Sequence, residues 1–322
     1  MPAPPADRAG AGAGALRIVR AVVGVLALAA LGWALVSNWP QVQLALTTIG
    51  PAAVAAAGVA ALVGLLSSML AWRALLVGLG SPIGVGAAAR VVFVGQLGKY
   101  LPGGAIWAVV AQTELAGDHG VPRRRSATVT LVHTALSLGL GLLLALSSVT
   151  ALRGSALGWT TWLVVGLAPV ALICLSPPVL NPLIALGLRL TRRPALERPL
   201  SWRTVAAATA WSLGNWLALA AQVYLLGRGL GATPEFALPA LGGFAAAWVC
   251  GFLAVFAPGG AGVREAVLTV ILAPSLPGGV GAALTIAVLS RALMTLADLG
   301  CAVAAWLAGR PGRGRSTGAG DG

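Results

Sequence analysis

Apolar runs long enough to cross a bilayer recur along this chain, near residues 18–37, 51–72, 126–151, 158–177, 203–227 and 279–308. A crossing helix needs about 20 predominantly apolar residues, and lipid tolerates only segments that satisfy their own backbone hydrogen bonds. Of the 322 residues, 58% are hydrophobic and only 9% charged, whereas a soluble domain has about 25% charged residues. No water-soluble fold hides that much apolar surface, so the pattern specifies an all-α polytopic membrane protein. Soluble enzymes, nucleic-acid readers and secreted disulfide scaffolds are excluded with it. The formal charge of +13 therefore reports topology and not a nucleic-acid surface.

The run at 18–37 follows Arg17 and Arg20 as the apolar core of a signal peptide would. It has no Ala-x-Ala-like site before Asn38 and further spans follow it, so it reads as an uncleaved anchor. Residues 1–15 and 310–322 read as disordered tails, which leaves a transmembrane domain over 16–309.

Two more apolar stretches, 83–117 and 237–275, are broken by Pro102-Gly103-Gly104 and Pro258-Gly259-Gly260. Proline removes a helical donor and glycine weakens a helix, so each stretch is expected to form two short helices around a break. Hydropathy alone also allows 237–257 to cross. Arginine placement decides between the counts. With the N-terminus in the cytoplasm and both stretches re-entrant, the cytoplasmic side holds Arg73, Arg123, Arg124, Arg125, the arginines of 189–203 and those after residue 309. The outside holds only Arg153 and Arg228. The expectation is six spans plus two re-entrant broken-helix hairpins; if every hairpin arm crosses, the count becomes ten with the same sidedness.

The hairpins align at a fixed offset: Gly95, Leu97, Pro102, Gly103, Gly104 and Ala105 fall on Gly251, Leu253, Pro258, Gly259, Gly260 and Ala261. One span precedes and one follows each hairpin, which defines halves of about 51–151 and 203–308. Span 51–72 runs inward and 203–227 outward, so the halves form an inverted repeat, a plan used by transporters that bind substrate near the midplane.

Ionisable groups inside the membrane are costly and are functional candidates by default. Lys99 sits just before the first break, Arg264 and Glu265 follow the second, and Arg291 lies within the last span with Asp298 two turns later. Arg264, near a helix N-terminus, suits a phosphate; Glu265 suits a proton or a cationic headgroup. The competing structural reading pairs Glu265 with Arg291, or Arg291 with Asp298. Glu114 and Asp118 read as interfacial partners of Arg123–Arg125, and His133, on a stripe with Thr130, Thr134 and Ser137, as a hydrogen-bonded packing residue. Trp211, Asn215, Ala218 and Gln222 mark the expected inward face of span 203–227. Cys174, Cys250 and Cys301 lack ligand spacing, the two histidines are isolated, and no GxxxxGK[ST], HExxH or GxSxG pattern occurs. No cofactor, metal site or catalytic centre is expected.

Gly95-Gln96-Leu97-Gly98-Lys99-Tyr100-Leu101-Pro102-Gly103-Gly104 resembles the first signature of the lysylphosphatidylglycerol synthase transmembrane family, also called flippase-like domain proteins. Pro258-Gly259-Gly260-Ala261-Gly262-Val263-Arg264-Glu265 resembles the second, and Arg291 resembles the arginine of the following span. The resemblance covers about residues 15–310. It implies a lipid-translocating domain, here without a synthetase segment, in the cytoplasmic membrane with both termini inside. The expected substrate site comprises Lys99, Pro102, Gly103, Gly104, Pro258, Gly259, Gly260, Arg264, Glu265 and Arg291. The expected partners are membrane phospholipids or polyprenyl-linked lipids, and a glycosyltransferase or synthetase is a further candidate partner. The alternative function is a non-transporting scaffold for such an enzyme; an integral-membrane transferase ranks third.

Overall fold

The computed structural model describes residues 47–100, 104–148, 175–190, 198–254 and 260–308, with isolated positions nearby. The expected spans at 18–37 and nearly all of 158–177, both tails, and Pro102, Gly103, Pro258 and Gly259 lie outside the described residues. Among the described residues every regular element is helical. Helix α1 (Pro51–Gly78) leads to a short helix α2 (Val85–Ala89), which continues through a π-helical turn (Arg90–Val94) and a 3-10 turn (Leu97–Tyr100). Then come α3 (Gly104–Gly117), α4 (Arg123–Ala145), α5 (Pro177–Leu190), α6 (Trp202–Gly229), α7 (Ala237–Leu253), α8 (Val263–Leu272) and α9 (Gly279–Ala308).

Both apolar stretches are broken as expected, into α2 with its turns and α3, and into α7 and α8. Among the described residues four helical segments are long and apolar enough to cross a membrane: Pro51–Gly78, Arg123–Ser148, Pro234–Leu253 and Gly279–Ala308. The first arm of the second hairpin is thus of crossing length. Its second arm, α8, has 10 residues, or about 15 Å at 1.5 Å per residue, half the hydrocarbon thickness.

Helices α1 and α6 form the spine. Each has 28 residues, and each stops the same way. Gly80 and Gly231 take positive φ, and the next amide bonds back five residues, Ser81 to Leu76 and Ala232 to Gly227. This is the glycine stop in which a left-handed residue satisfies the last carbonyls. The two helices run antiparallel, because Gly78 abuts Thr204, Gly64 abuts Leu219 and Gly229 abuts Ile49. Small residues, including Ala57, Ala61 and Gly64, let the backbones approach, while Val59, Val63 and Leu66 on the opposite side are exposed. Apolar residues all round a helix are what lipid on one side and protein on the other require.

The remaining packing repeats between the halves. The first arm of the first hairpin packs on α9, and the first arm of the second, α7, packs on α4. Helix α1 touches α9 as α6 touches α4. Gly242 of α7 makes the tightest of these approaches: a Cβ there would lie 2.2 Å from the backbone nitrogen of Ser148. Backbone cannot step aside as a side chain can, so Gly242→Ala is expected to destabilise the protein by about 1–3 kcal/mol as an overpacked core site, read as a lower midpoint of denaturant unfolding in detergent.

Arginines close the turns. Arg73 Nε donates to the Ile83 carbonyl at 2.8 Å, Arg125 bonds the Gly80 carbonyl and Ser81 Oγ, and Arg228 donates to the Ala232 carbonyl at 2.7 Å. Cations are favoured at these helix C-termini by the exposed carbonyls. Arg123 pairs with Glu114 at 2.6 Å, in line with the interfacial pairing expected for that acid.

One expected face is corrected. On α6 the buried positions are Val205, Ala208, Ser212, Trp216, Leu219 and Val223, while Trp211 is exposed and Asn215 and Ala218 are half-buried. The face is rotated by one residue from the polar stripe, and only Gln222 of that stripe is fully buried. Tryptophan serves both against lipid, as Trp211, and in the core, as Trp216, so residue type along the stripe misassigns the inward side.

Candidate functional site

Helix α9 is the element on which the two hairpins converge. Arg291, Met294 and Asp298, at i, i+3 and i+7, share one face, and each meets a hairpin residue. Arg291 Nη1 donates to Glu265 Oε1 at 2.5 Å, and Arg264 Nη2 donates to Met294 Sδ at 3.6 Å; both partners belong to α8. Asp298 Oδ2 accepts from Lys99 Nζ at 2.5 Å and from Tyr100 Oη at 2.7 Å, both in the first hairpin. The two docking points lie about 10 Å apart along α9 at 1.5 Å per residue.

Glu265 occupies the first turn of α8. Its second oxygen accepts the Gly262 amide at 2.7 Å, the side-chain half of a capping box, so one carboxylate both caps α8 and ties it to α9. Gly262, with φ +83°, supplies the left-handed turn into the helix. Glu265 and Asp298 are well shielded, with side-chain exposures of 16% and 6%.

Arg264 is held differently. Its guanidinium lies 5.6 Å from the centroid of the Phe244 ring and bonds only the thioether, so among the described residues it has no carboxylate partner. An aromatic face and a sulfur are weak acceptors for a group with five donors. Arg264, Glu265 and Arg291, with Ser290, give the polar lining of a narrow cleft whose apolar walls are Phe244, Ala247, Leu268 and Ala287. Ser290 is fixed in turn by Gln222, which accepts its hydroxyl at 3.0 Å.

Glycine makes this arrangement possible. A Cβ on Gly251 would fall 2.2 Å from Arg264 Cγ, so the arginine stem crosses α7 where a side chain is missing. In the first hairpin Gly95 plays that part, and the side chain crossing it is Gln112, 2.5 Å from the position of a Cβ. Gln112 Oε1 accepts from Thr130 Oγ1 at 2.9 Å, and Thr130 accepts from Trp72 Nε1 at 3.0 Å. The side chain that crosses the hairpin glycine is therefore a neutral, bonded amide in one half and a cation facing a cleft in the other, from different repeat positions.

Of the residues singled out from sequence, Arg264, Glu265 and Arg291 come together. Lys99 belongs to a neighbouring cluster on the same helix. Gly104 opens α3 and Gly260, with φ +69°, folds the second break against Gly251. The structure pairs Glu265 with Arg291 and gives Asp298 to Lys99, not to Arg291. His133 Nε2 lies 3.2 Å from Ser68 Oγ, a packing contact between α4 and α1. Tyr100, Phe244, Ser290, Met294 and Gln112 were not anticipated. Tyr100 lies beside Lys99 and Ser290 beside Arg291, but nothing marks Phe244 or Met294 among so many apolar residues.

A model of the family described as "Lysylphosphatidylglycerol synthase TM region" matches residues 18–300. No curated protein matches the chain.

Proposed function

This chain belongs to the lysylphosphatidylglycerol synthase TM region family, and from that premise we propose that it is a lipid flippase of the cytoplasmic membrane and not an enzyme. The observation that carries the reading is Arg264: a cation without a carboxylate partner among the described residues, lining a narrow cleft that joins the apolar Phe244, Ala247, Leu268 and Ala287 to the polar Glu265, Ser290 and Arg291. Such a place suits the phosphate of an amphipathic lipid whose tails remain in the bilayer.

The antiparallel spine α1–α6 and the repeated packing support an inverted repeat, and the arginine distribution favours both termini in the cytoplasm. In that arrangement the first hairpin enters from the cytoplasm, the second from outside, and both end against α9. The midplane groove then lies between Lys99 and Arg264, with Glu265 and Arg291 on its far wall.

Purified protein in proteoliposomes, supplied with aminoacyl, anionic and polyprenyl-phosphate lipids carrying labelled headgroups, tests this. Movement of one lipid class is expected, and Arg264→Gln is expected to slow it at least about tenfold, the loss of roughly one charged hydrogen bond. Absence of movement in folded wild-type protein under an imposed proton gradient would reject the flippase and turn attention to a scaffold whose docking surface is the arginine-rich loop 189–203.

A further inference from the structure

A carboxylate held by a guanidinium and a helix-terminal amide is bound as an anion ligand would be. Glu265 gives one oxygen to Arg291 and the other to the Gly262 amide at the start of α8. Those are the donors that phosphate uses at helix N-termini and arginine forks. Arg264, on the same turn, faces the same cleft with donors to spare. The anion site of this cleft is thus complete and already occupied by a residue of the chain.

We propose that Glu265 is a built-in stand-in for the phosphodiester of the transported lipid, which displaces it from Arg291 and thereby removes the carboxylate tie between α8 and α9. The proposal rests on the lipid-translocating reading above. With Arg264, Arg291 and Glu265 the cleft carries one net positive charge, which favours the approach of a phosphodiester. Arg264 cannot hold that phosphate while Glu265 stays on Arg291 without placing two anions side by side, so binding favours exchange over addition. The Glu265–Arg291 pair also joins α8 to α9, and exchanging it loosens the second hairpin alone. The first hairpin remains on α9 through Lys99, Tyr100 and Asp298. Substrate therefore opens one side of the groove while the other stays latched, which is the requirement of alternating access.

The test uses the full chain in maltoside micelles, which contain no phosphate, titrated with water-soluble dihexanoyl phosphatidylglycerol. Dihexanoylglycerol and inorganic phosphate are the comparison ligands. Glu265→Gln keeps the shape of the side chain and removes the competing charge. It is expected to bind the phospholipid about tenfold more tightly than wild type, within the usual range of coupling between linked equilibria. Hydrogen exchange on wild-type protein gives a second readout that needs no variant: saturating phospholipid should speed exchange in 263–272 and leave 97–100 unchanged, and dihexanoylglycerol should do neither. An equal effect of inorganic phosphate would keep the exchange and assign its source to a solute in place of a lipid. Equal affinity of Glu265→Gln and wild type, or unchanged or slower exchange in 263–272 at saturation, would overturn the proposal. If Glu265→Gln binds more tightly while wild type moves no lipid in vesicles, the stand-in role holds and the flippase reading falls.

Discussion

Asp298→Ala is expected to cost about 1–3 kcal/mol of stability, the penalty for removing the shielded acceptor of a charged hydrogen bond whose donor, Lys99, keeps a third of its side chain exposed. Asp298 is almost fully shielded, and its single Oδ2 serves both Lys99 Nζ and Tyr100 Oη. Its removal leaves an ammonium and a phenol against α9 without their shared acceptor. The paired change Lys99→Met with Asp298→Leu should recover most of the loss, since apolar replacement of a whole buried pair is often neutral. Thermal unfolding in detergent checks both, and the double variant separates a charge effect from a packing effect. A single variant as stable as wild type would mean that the first hairpin does not depend on this latch.

Gly260→Val is the second large effect. The residue sits at φ +69°, and its Cβ would meet the Gly251 carbonyl oxygen at 2.8 Å and the Gly251 Cα at 2.9 Å. A left-handed conformation costs a substituted residue about 1–2 kcal/mol, and forcing two backbones apart adds about 1–3 kcal/mol. The expected loss is therefore about 2–5 kcal/mol in unfolding free energy, summed from those two terms. Moving Gly260 away from Gly251 also shifts the turn that leads into Arg264, so lipid movement should fall further than stability does. Gly262→Ala is the control: its φ is +83°, yet a Cβ there meets nothing within 4 Å. It should cost about 1–2 kcal/mol, the conformational part alone. Equal losses at the two glycines would show that the close crossing of α7 and α8 does not matter.

Much of the architecture is legible in the residue order because lipid imposes simple rules. Runs of apolar residues must be helices, Pro-Gly-Gly must interrupt them, and arginines collect on one side. These rules place α1, α4, α7 and α9 and the broken character of both hairpins. The inward face of α6 differs from the polar stripe because neither hydropathy nor polarity distinguishes lipid from a neighbouring helix; packing of Trp216, Leu219 and Val223 decides it. The scarcity of charges made Lys99, Arg264, Glu265, Arg291 and Asp298 visible as a set, but not their pairing.

Sequence by itself determined the class of this protein, the positions of its breaks and the short list of ionisable groups within its apolar stretches, since each follows from the cost of putting polar atoms in hydrocarbon. Only the tertiary structure decided that Glu265 takes Arg291, that Asp298 takes Lys99 and Tyr100, and that Arg264 is left with an aromatic ring and a thioether. Those choices depend on which face of α9 each hairpin reaches and on glycines that let side chains cross. Distances of a few ångströms between segments far apart in the chain set them, and residue spacing along one segment carries no record of such distances.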